Sequence, residues 1–202
     1  MPTACDPALK TDNSLKPSHD PRPDESLVAS SLAGENGAFE SLLRRHQQGV
    51  YGFLLRMVRE PDEAADLAQE VFIKVFSSLE QFNPEYRFKT WLYRIAANAA
   101  VDRRRRRRNN RSFSDMGFEG EDGSALFPSR DPGPEEFLAA RETRDALEAA
   151  LADLPTSYRR VMLLRFQAGL RYDEIAAATN LPLGTVKNRV FRAREILRRA
   201  LS

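Results

Sequence analysis

Apolar residues recur at helical spacing through two separate stretches of the chain, and neither stretch alternates as a half-buried strand would. In the first, Phe39, Leu42, Leu43, Val50, Phe53, Leu54 and Met57 fall at intervals of three, four and seven. Pro61 punctuates this run, and Asp62 is the predicted N-cap of the next helix, whose inner stripe is Ala64, Leu67, Ala68, Val71 and Val75. "NPEY" at 83–86 breaks the period, and "FKTWLYRIAANAAVDRRRRRR" resumes it with Leu92, Ile95 and Ala99 as the buried line. Residues 109–135 collect glycine and proline without an apolar face and read as a flexible linker. The helical period returns from Glu136 and continues to the C-terminus. Residues 1–25 are rich in Pro, Ser and Asp without periodicity, which predicts a disordered tail. The expected fold class is all-α, with two small helical domains at 26–108 and 136–202.

The most specific stretch is "RYDEIAAATNLPLGTVKNRVFRAREILRRAL". A short helix over Tyr172–Thr179, with Ile175 and Ala176 inward, leads into a turn at Asn180–Pro182 that points Leu181 inward. A second helix starts near Leu183. That is the layout of a helix-turn-helix, whose second helix enters the DNA major groove. At about 100° per residue, Val186, Val190, Ala193 and Leu197 form one buried stripe. Gly184, Asn188, Phe191, Arg192 and Glu195 fall opposite, flanked by Lys187 and Arg194 on one side and Thr185 and Arg189 on the other. Asn and Arg can pair with base edges and Phe can pack on a thymine methyl, while arginines towards the helix end suit phosphates. A helical hairpin with a merely solvated basic face is the competing reading; an outward Phe191 argues against it, because only a covering partner would bury it.

The helix "DEAADLAQEVFIKVF" carries a second, mixed face: Asp66, Gln69 and Glu70 alongside Ile73 and Phe76. An apolar pair rimmed by carboxylates suits a basic or amphipathic partner helix, or else another helix of the same domain covers it. In the following helix, Phe88 and Trp91 stand at the entrance beside Lys89, with Arg94, Asn98 and Val101 further along. Aromatic and basic residues next to a proline-containing loop make a stacking surface for unpaired bases, although a single Trp more often packs in a core.

Composition narrows the classes. Net charge is only +2, from 31 Lys+Arg against 29 Asp+Glu, so the distribution of charge is informative and the total is not. Six consecutive arginines, Arg103–Arg108, continue the basic helix. Cys5 is the only cysteine, and His19 and His46 are the only histidines, which excludes a disulfide framework and a Cys/His zinc cluster. No cofactor or metal is expected. There is no P-loop and no nucleophile–base set that two histidines could serve, so an enzyme is not expected. The N-terminus lacks a signal-peptide core and no apolar run reaches membrane length, which suits a cytoplasmic protein with no membrane insertion of its own.

Three motifs, "DLAQEVFIKVF", "FKTWLYRIAANAAVDRRRRR" and "LPLGTVKNRVFRARE", in that order and spacing, resemble the extracytoplasmic-function (ECF, group IV) branch of the bacterial sigma-70 family, from about Leu27 to Leu201. The resemblance implies a sigma factor that binds the RNA polymerase core and directs promoter-specific initiation at a stress- or signal-responsive regulon. Asp66, Gln69, Glu70, Ile73 and Phe76 would face the clamp of the largest polymerase subunit. Asn83, Phe88, Lys89, Trp91, Arg94, Asn98 and Val101 would capture a flipped base of the minus-ten element and melt the duplex, with Arg103, Arg104 and Arg105 gripping adjacent phosphates. Thr185, Lys187, Asn188, Phe191, Arg192 and Arg194 would read the minus-thirty-five element; Arg189 matches the motif but lies beside the buried stripe. An anti-sigma factor could occlude these faces. The linker's acidic "EGED" would repel nucleic acid and keep the linker in a basic polymerase channel. The competing function is a free-standing helix-turn-helix regulator that binds operator DNA without polymerase.

Overall fold

The computed structural model describes residues 20–111 and 134–201, with side chains over 20–107 and 143–201. The described residues are helical throughout, with no strand. The N-terminal unit comprises α1 (Asp24–Leu32), α2 (Ala38–Val58), α3 (Pro61–Ser77), a 3-10 turn at Leu79–Gln81, and α4 (Phe88–Arg111). The C-terminal unit comprises α5 (Pro134–Asp153), α6 (Thr156–Met162) running into a π turn at Leu163–Gln167, α7 (Tyr172–Thr179) and α8 (Leu183–Ala200).

The apolar periods close into cores as expected. Leu42, Val50, Phe53, Leu54 and Met57 of α2 meet Ala64, Leu67, Val71 and Val75 of α3 and Leu92 and Ala96 of α4, all buried. Glu60, not Asp62, precedes α3, because Pro61 takes the first helical position, where its missing N–H costs no bond. The period breaks at 83–86 as expected, leaving a loop between the 3-10 turn and α4.

Of the tail expected over 1–25, residues 20–25 are described and depart from the expectation, since α1 already begins at Asp24; the rest lies outside the described residues. Arg45 fixes this entry: it donates to the Asp20 carbonyl at 2.6 Å, the Arg22 carbonyl at 2.8 Å and the Asp24 carboxylate. Asp24 also takes a 2.8 Å bond from His46, and Glu25 accepts the Phe88 amide at 3.3 Å. Burial pushes the Asp24 carboxyl up, but bonding to His46 and Arg45 outweighs it and holds the group below its ordinary value. Most of the linker, including "EGED", lies outside the described residues.

In the C-terminal unit α7 and α8 occupy the predicted positions. Asn180 ends α7 with φ +53°, a left-handed conformation that Asn tolerates better than most residues. Leu181 tucks partly inward, while in α7 Ile175 and Ala178 are buried and Ala176 is only half-buried. Arg159 is buried and donates to the carbonyls of Leu151 in α5 and Leu154 just beyond it at 2.9 and 3.0 Å, and to that of Ala152. Arg159 so serves the end of α5, where carbonyls lack a helical N–H four residues on. Burial lowers the Arg159 guanidinium to about 10, so it remains charged at neutral pH.

The two units touch. Helix α7 packs along α4, and α6 with its π turn rests on α2. Arg56 of α2 grips Glu148 of α5 in bidentate fashion, with both Nε–Oε distances at 3.0 Å. Gln167 donates to the Gly49 carbonyl at 3.3 Å, and Arg159 reaches the Arg56 carbonyl at 3.4 Å.

Candidate nucleic-acid interface

Helix α3 buries Ala64, Leu67, Val71 and Val75 of its expected inner stripe, with Ala68 half-buried, and leaves its opposite face open. Asp66, Gln69 and Glu70 are exposed, and Ile73 and Phe76 are 68% and 61% exposed despite their size. The Phe39 ring of α2 meets Phe76 edge to face at 4.8 Å, and the pair otherwise stands open among the described residues. Glu70 is not free: Arg103 of α4 donates to it at 2.7 Å and lies 3.7 Å from Glu63, which also faces Arg107 at 3.6 Å.

That geometry corrects the expectation for the arginine run. Arg103 turns onto the α3 carboxylates instead of outward. Arg104 donates to the Met57 carbonyl at the end of α2, 3.2 Å away, and is half-buried. Burial, reinforced by Arg59 and Arg107, holds its guanidinium below the ordinary value. Arg105 alone of the three points into solvent, with Asp102 3.5 Å away.

At the entrance of α4 the side chains enclose a cavity of about 300 Å³, lined by Gln81, Phe82, Asn83, Tyr86, Thr90, Trp91 and Arg94. Trp91 is largely buried yet forms its wall, held by tilted contact with Phe82 at 5.5 Å. Phe88 departs from expectation. It is fully buried, between His46 at 5.6 Å and Phe82 at 5.9 Å, so it supports Trp91 from behind and offers no surface for stacking. Asn83 accepts the Glu85 amide at 2.9 Å and so shapes the loop. Arg94 and Asn98 are exposed on α4 and Lys89 is half-buried. Val101 packs against the core, which argues against a surface role. Sequence reasoning missed Tyr86, 57% exposed in the loop, and Thr90, whose buried hydroxyl has no partner. An aromatic beside the loop proline was the available signal for Tyr86. Nothing in the local sequence signals that Ala177 and Ala178 of α7 close the same cavity.

Helix α8 matches its helical wheel. Val186, Val190, Ala193 and Leu197 are buried, while Lys187, Asn188, Phe191, Arg192 and Arg194 are exposed, Phe191 by 61%. Thr185 and Arg189 are half-buried at the flank. The helix therefore presents an amide, two kinds of cation and an uncovered aromatic ring on one face, with no acidic residue in its first turn.

The chemistry available is thus threefold: an apolar patch with carboxylates, a Trp-walled cavity beside cationic α4, and a basic reading helix. Among the described residues no helix is long and apolar enough to cross a membrane.

Comparison with known proteins bears on the whole arrangement. The family model for sigma-70 region 2 matches residues 42–110, and that for sigma-70 region 4 matches residues 144–197. The chain is 35% identical to the RNA polymerase sigma-H factor of Pseudomonas aeruginosa, covering 88% of this chain and 93% of that one. It is 32% identical to the ECF RNA polymerase sigma factor SigW of Bacillus subtilis, covering 83% and 91%. Among solved structures it resembles the sigma factor RpoE in complex with the anti-sigma factor NepR from Bartonella quintana, at TM-score 0.68 and 25% identity, covering 82% of this chain and 97% of that one. A likeness that spans both units, and not the helix-turn-helix alone, disfavours a free-standing operator-binding regulator. The chain belongs to the ECF sigma factors, the RNA polymerase-binding proteins that direct transcription initiation.

Proposed function

We propose that initiation by this sigma factor is divided among the three faces described above. The outer face of α3, with Asp66, Gln69, Glu70, Ile73 and Phe76, docks on the clamp of the polymerase core. The observation that carries this is the exposure of Ile73 and Phe76 on a helix whose opposite stripe is closed-packed. Large apolar groups displayed together and rimmed by carboxylates mark an interaction surface.

The cavity at the start of α4 receives a base extruded from the minus-ten element. Trp91 and Tyr86 supply aromatic faces, Arg94 supplies charge, and the unpartnered Thr90 hydroxyl supplies a hydrogen-bonding group. Unstacking a base costs a few kcal/mol, which stacking and hydrogen bonding within such a site offset. Asn83, Lys89 and Asn98 border the strand, and Arg105 holds a phosphate beside the melted segment. Helix α8 enters the major groove of the minus-thirty-five element, with Asn188, Phe191 and Arg192 at base edges and Thr185, Lys187 and Arg194 at the flanks. The regulon is stress- or signal-responsive, and an anti-sigma partner holds the protein in check. The solved structure of RpoE with NepR supports that last point by likeness.

The test is assembly with purified core polymerase on a native gel. Wild-type protein forms a complex, and Ile73→Asp or Phe76→Asp weakens it by more than tenfold while both variants keep the wild-type melting curve. Unimpaired assembly by both variants contradicts the docking assignment.

A further inference from the structure

Helix α8 carries one cation that the three faces leave unused. Arg189 directly follows Asn188, yet it lies half-buried on the flank of the helix with Thr185, away from the exposed groups assigned to base edges. Helix α6 packs along α8, and its Arg160 is half-buried as well. Burial first, and then the charge of Arg189, hold the Arg160 guanidinium below its ordinary value. Elsewhere in the fold a cation withdrawn from water is compensated. Arg45, Arg56 and Arg103 hold carboxylates, and Arg104 and Arg159 hold main-chain carbonyls. Arg160 and Arg189 have neither a hydrogen bond nor an ion pair among the described residues. Two like charges partly stripped of water and given no acceptor cost stability. Each is still partly open to solvent, so an anion from outside can reach both.

We propose that Arg160 of α6 and Arg189 of α8 form a clamp for one backbone phosphate of the minus-thirty-five duplex. The proposal rests on the reading of α8 as the helix in the major groove, and it adds a helix from outside the helix-turn-helix to the DNA contact. A helix lying in the groove turns its two flanks to the two sugar–phosphate walls. Lys187 and Arg194 serve one flank, both exposed. Thr185 and Arg189 serve the other, and there Arg160 stands behind Arg189. The anions that line a groove wall are phosphates, which favours DNA over an acidic protein partner as the occupant. Guanidinium suits this task, being weakly hydrated and shaped as a planar fork that pairs with phosphate oxygens. Phosphate contacts position a protein without reading sequence. The clamp therefore fixes the seat of α8 in the groove and leaves base choice to Asn188, Phe191 and Arg192.

The test uses holoenzyme assembled from the full chain and core polymerase, with promoter duplexes that carry one neutral methylphosphonate. The modified position is moved one step at a time along both strands of the minus-thirty-five element. For the wild type, one position should weaken binding by about tenfold. Arg160→Gln and Arg189→Gln should each weaken binding to the unmodified duplex, and their losses should fall short of adding in the double variant, because both act on one phosphate. The double variant should ignore the methylphosphonate at that position, and its slope of log affinity against log salt should fall by about 0.9. Melting of the free chain separates this from a merely structural role: removing either arginine relieves the repulsion, so the melting temperature should hold or rise. A double variant as sensitive as wild type to every methylphosphonate overturns the clamp. So does a slope change of about 1.8, which would mean two separate phosphates. A lower melting temperature for both single variants overturns it as well, since the pair would then be satisfied within the fold. Competition between cognate and altered minus-thirty-five sequences keeps the two claims apart. A wild-type holoenzyme that discriminates between them, while no phosphate answers to these arginines, refutes the clamp alone. A holoenzyme that does not discriminate refutes the groove reading on which it rests.

Discussion

Arg103 donates to the Glu70 carboxylate at 2.7 Å, joining the first arginine of the basic run to the outer face of α3. The pair links two surfaces that carry opposite charge and that the proposed division of roles assigns to different partners. Arg103 thereby neutralises part of the acidic rim around Ile73 and Phe76, and its charge is committed before DNA arrives. Arg105 is turned outward, and its contact with the equally exposed Asp102 at 3.5 Å is open to solvent. Substituting Arg105 with Ala should therefore lower the slope of log affinity against log salt by about 0.9, one released counterion. Arg103→Ala should leave that slope nearly unchanged, alter affinity for core polymerase, and cost about 0.2–1 kcal/mol of stability as a partly exposed pair. Filter binding across a salt series checks the first outcome, and thermal denaturation the last.

The two faces of α3 predict opposite responses to truncation. Leu67 is buried in the core of the N-terminal unit, so Leu67→Ala should destabilise the fold by about 2–5 kcal/mol. Ile73→Ala removes a comparable side chain from an uncovered position and should change stability by less than about 0.5 kcal/mol. Chemical denaturation of both variants measures the contrast directly.

The Asp24 anchor predicts an acid-side weakness. Its carboxyl titrates below the ordinary value in the folded chain, so it binds fewer protons folded than unfolded near its own titration range. The stabilisation is present in full above the unfolded aspartate value of about 3.9 and is lost as pH falls through the lower folded value. Asp24→Asn should cost about 1–3 kcal/mol at pH 7, the worth of hydrogen bonds to charged groups. The gap between variant and wild type should close as pH drops below about 4. Urea unfolding at a series of pH values checks both parts.

Much of this architecture was legible because amphipathic helices advertise their buried side. The stripe Val186, Val190, Ala193 and Leu197 followed from spacing alone, and its burial made Asn188 and Phe191 face outward. What escaped depends on distant partners. Phe88 reads as a surface aromatic from its basic neighbours, but His46 and Phe82 enclose it. Arg104 looks like one cation of a uniform run, yet the end of α2 lies beside it and offers the Met57 carbonyl. The ordered entry at Asp20 and Arg22 hides in a polar, proline-rich stretch because it is fastened by Arg45, more than twenty residues later. The α7 wall of the cavity is a contact between units, for which no local periodicity exists.

On α8, Asn188→Ala and Phe191→Ala should each reduce discrimination between cognate and altered minus-thirty-five sequences by about 1–3 kcal/mol. Both positions are exposed, so melting temperature should hold. Lys187→Ala should instead weaken binding to all sequences alike, as expected of a phosphate contact. Competition binding of the holoenzyme to promoter variants separates these outcomes.

The most direct test of the account follows strand opening by permanganate reactivity of thymines at a promoter that core polymerase transcribes with this chain. Wild-type holoenzyme should show reactive thymines and run-off product, and core enzyme alone should show neither. Trp91→Ala holoenzyme should still assemble and still protect the upstream duplex, but lose both reactivity and product by at least about tenfold, a loss of roughly 1.4 kcal/mol or more in stacking. Full opening by the Trp91→Ala holoenzyme would contradict the assignment of the α4 cavity to base capture.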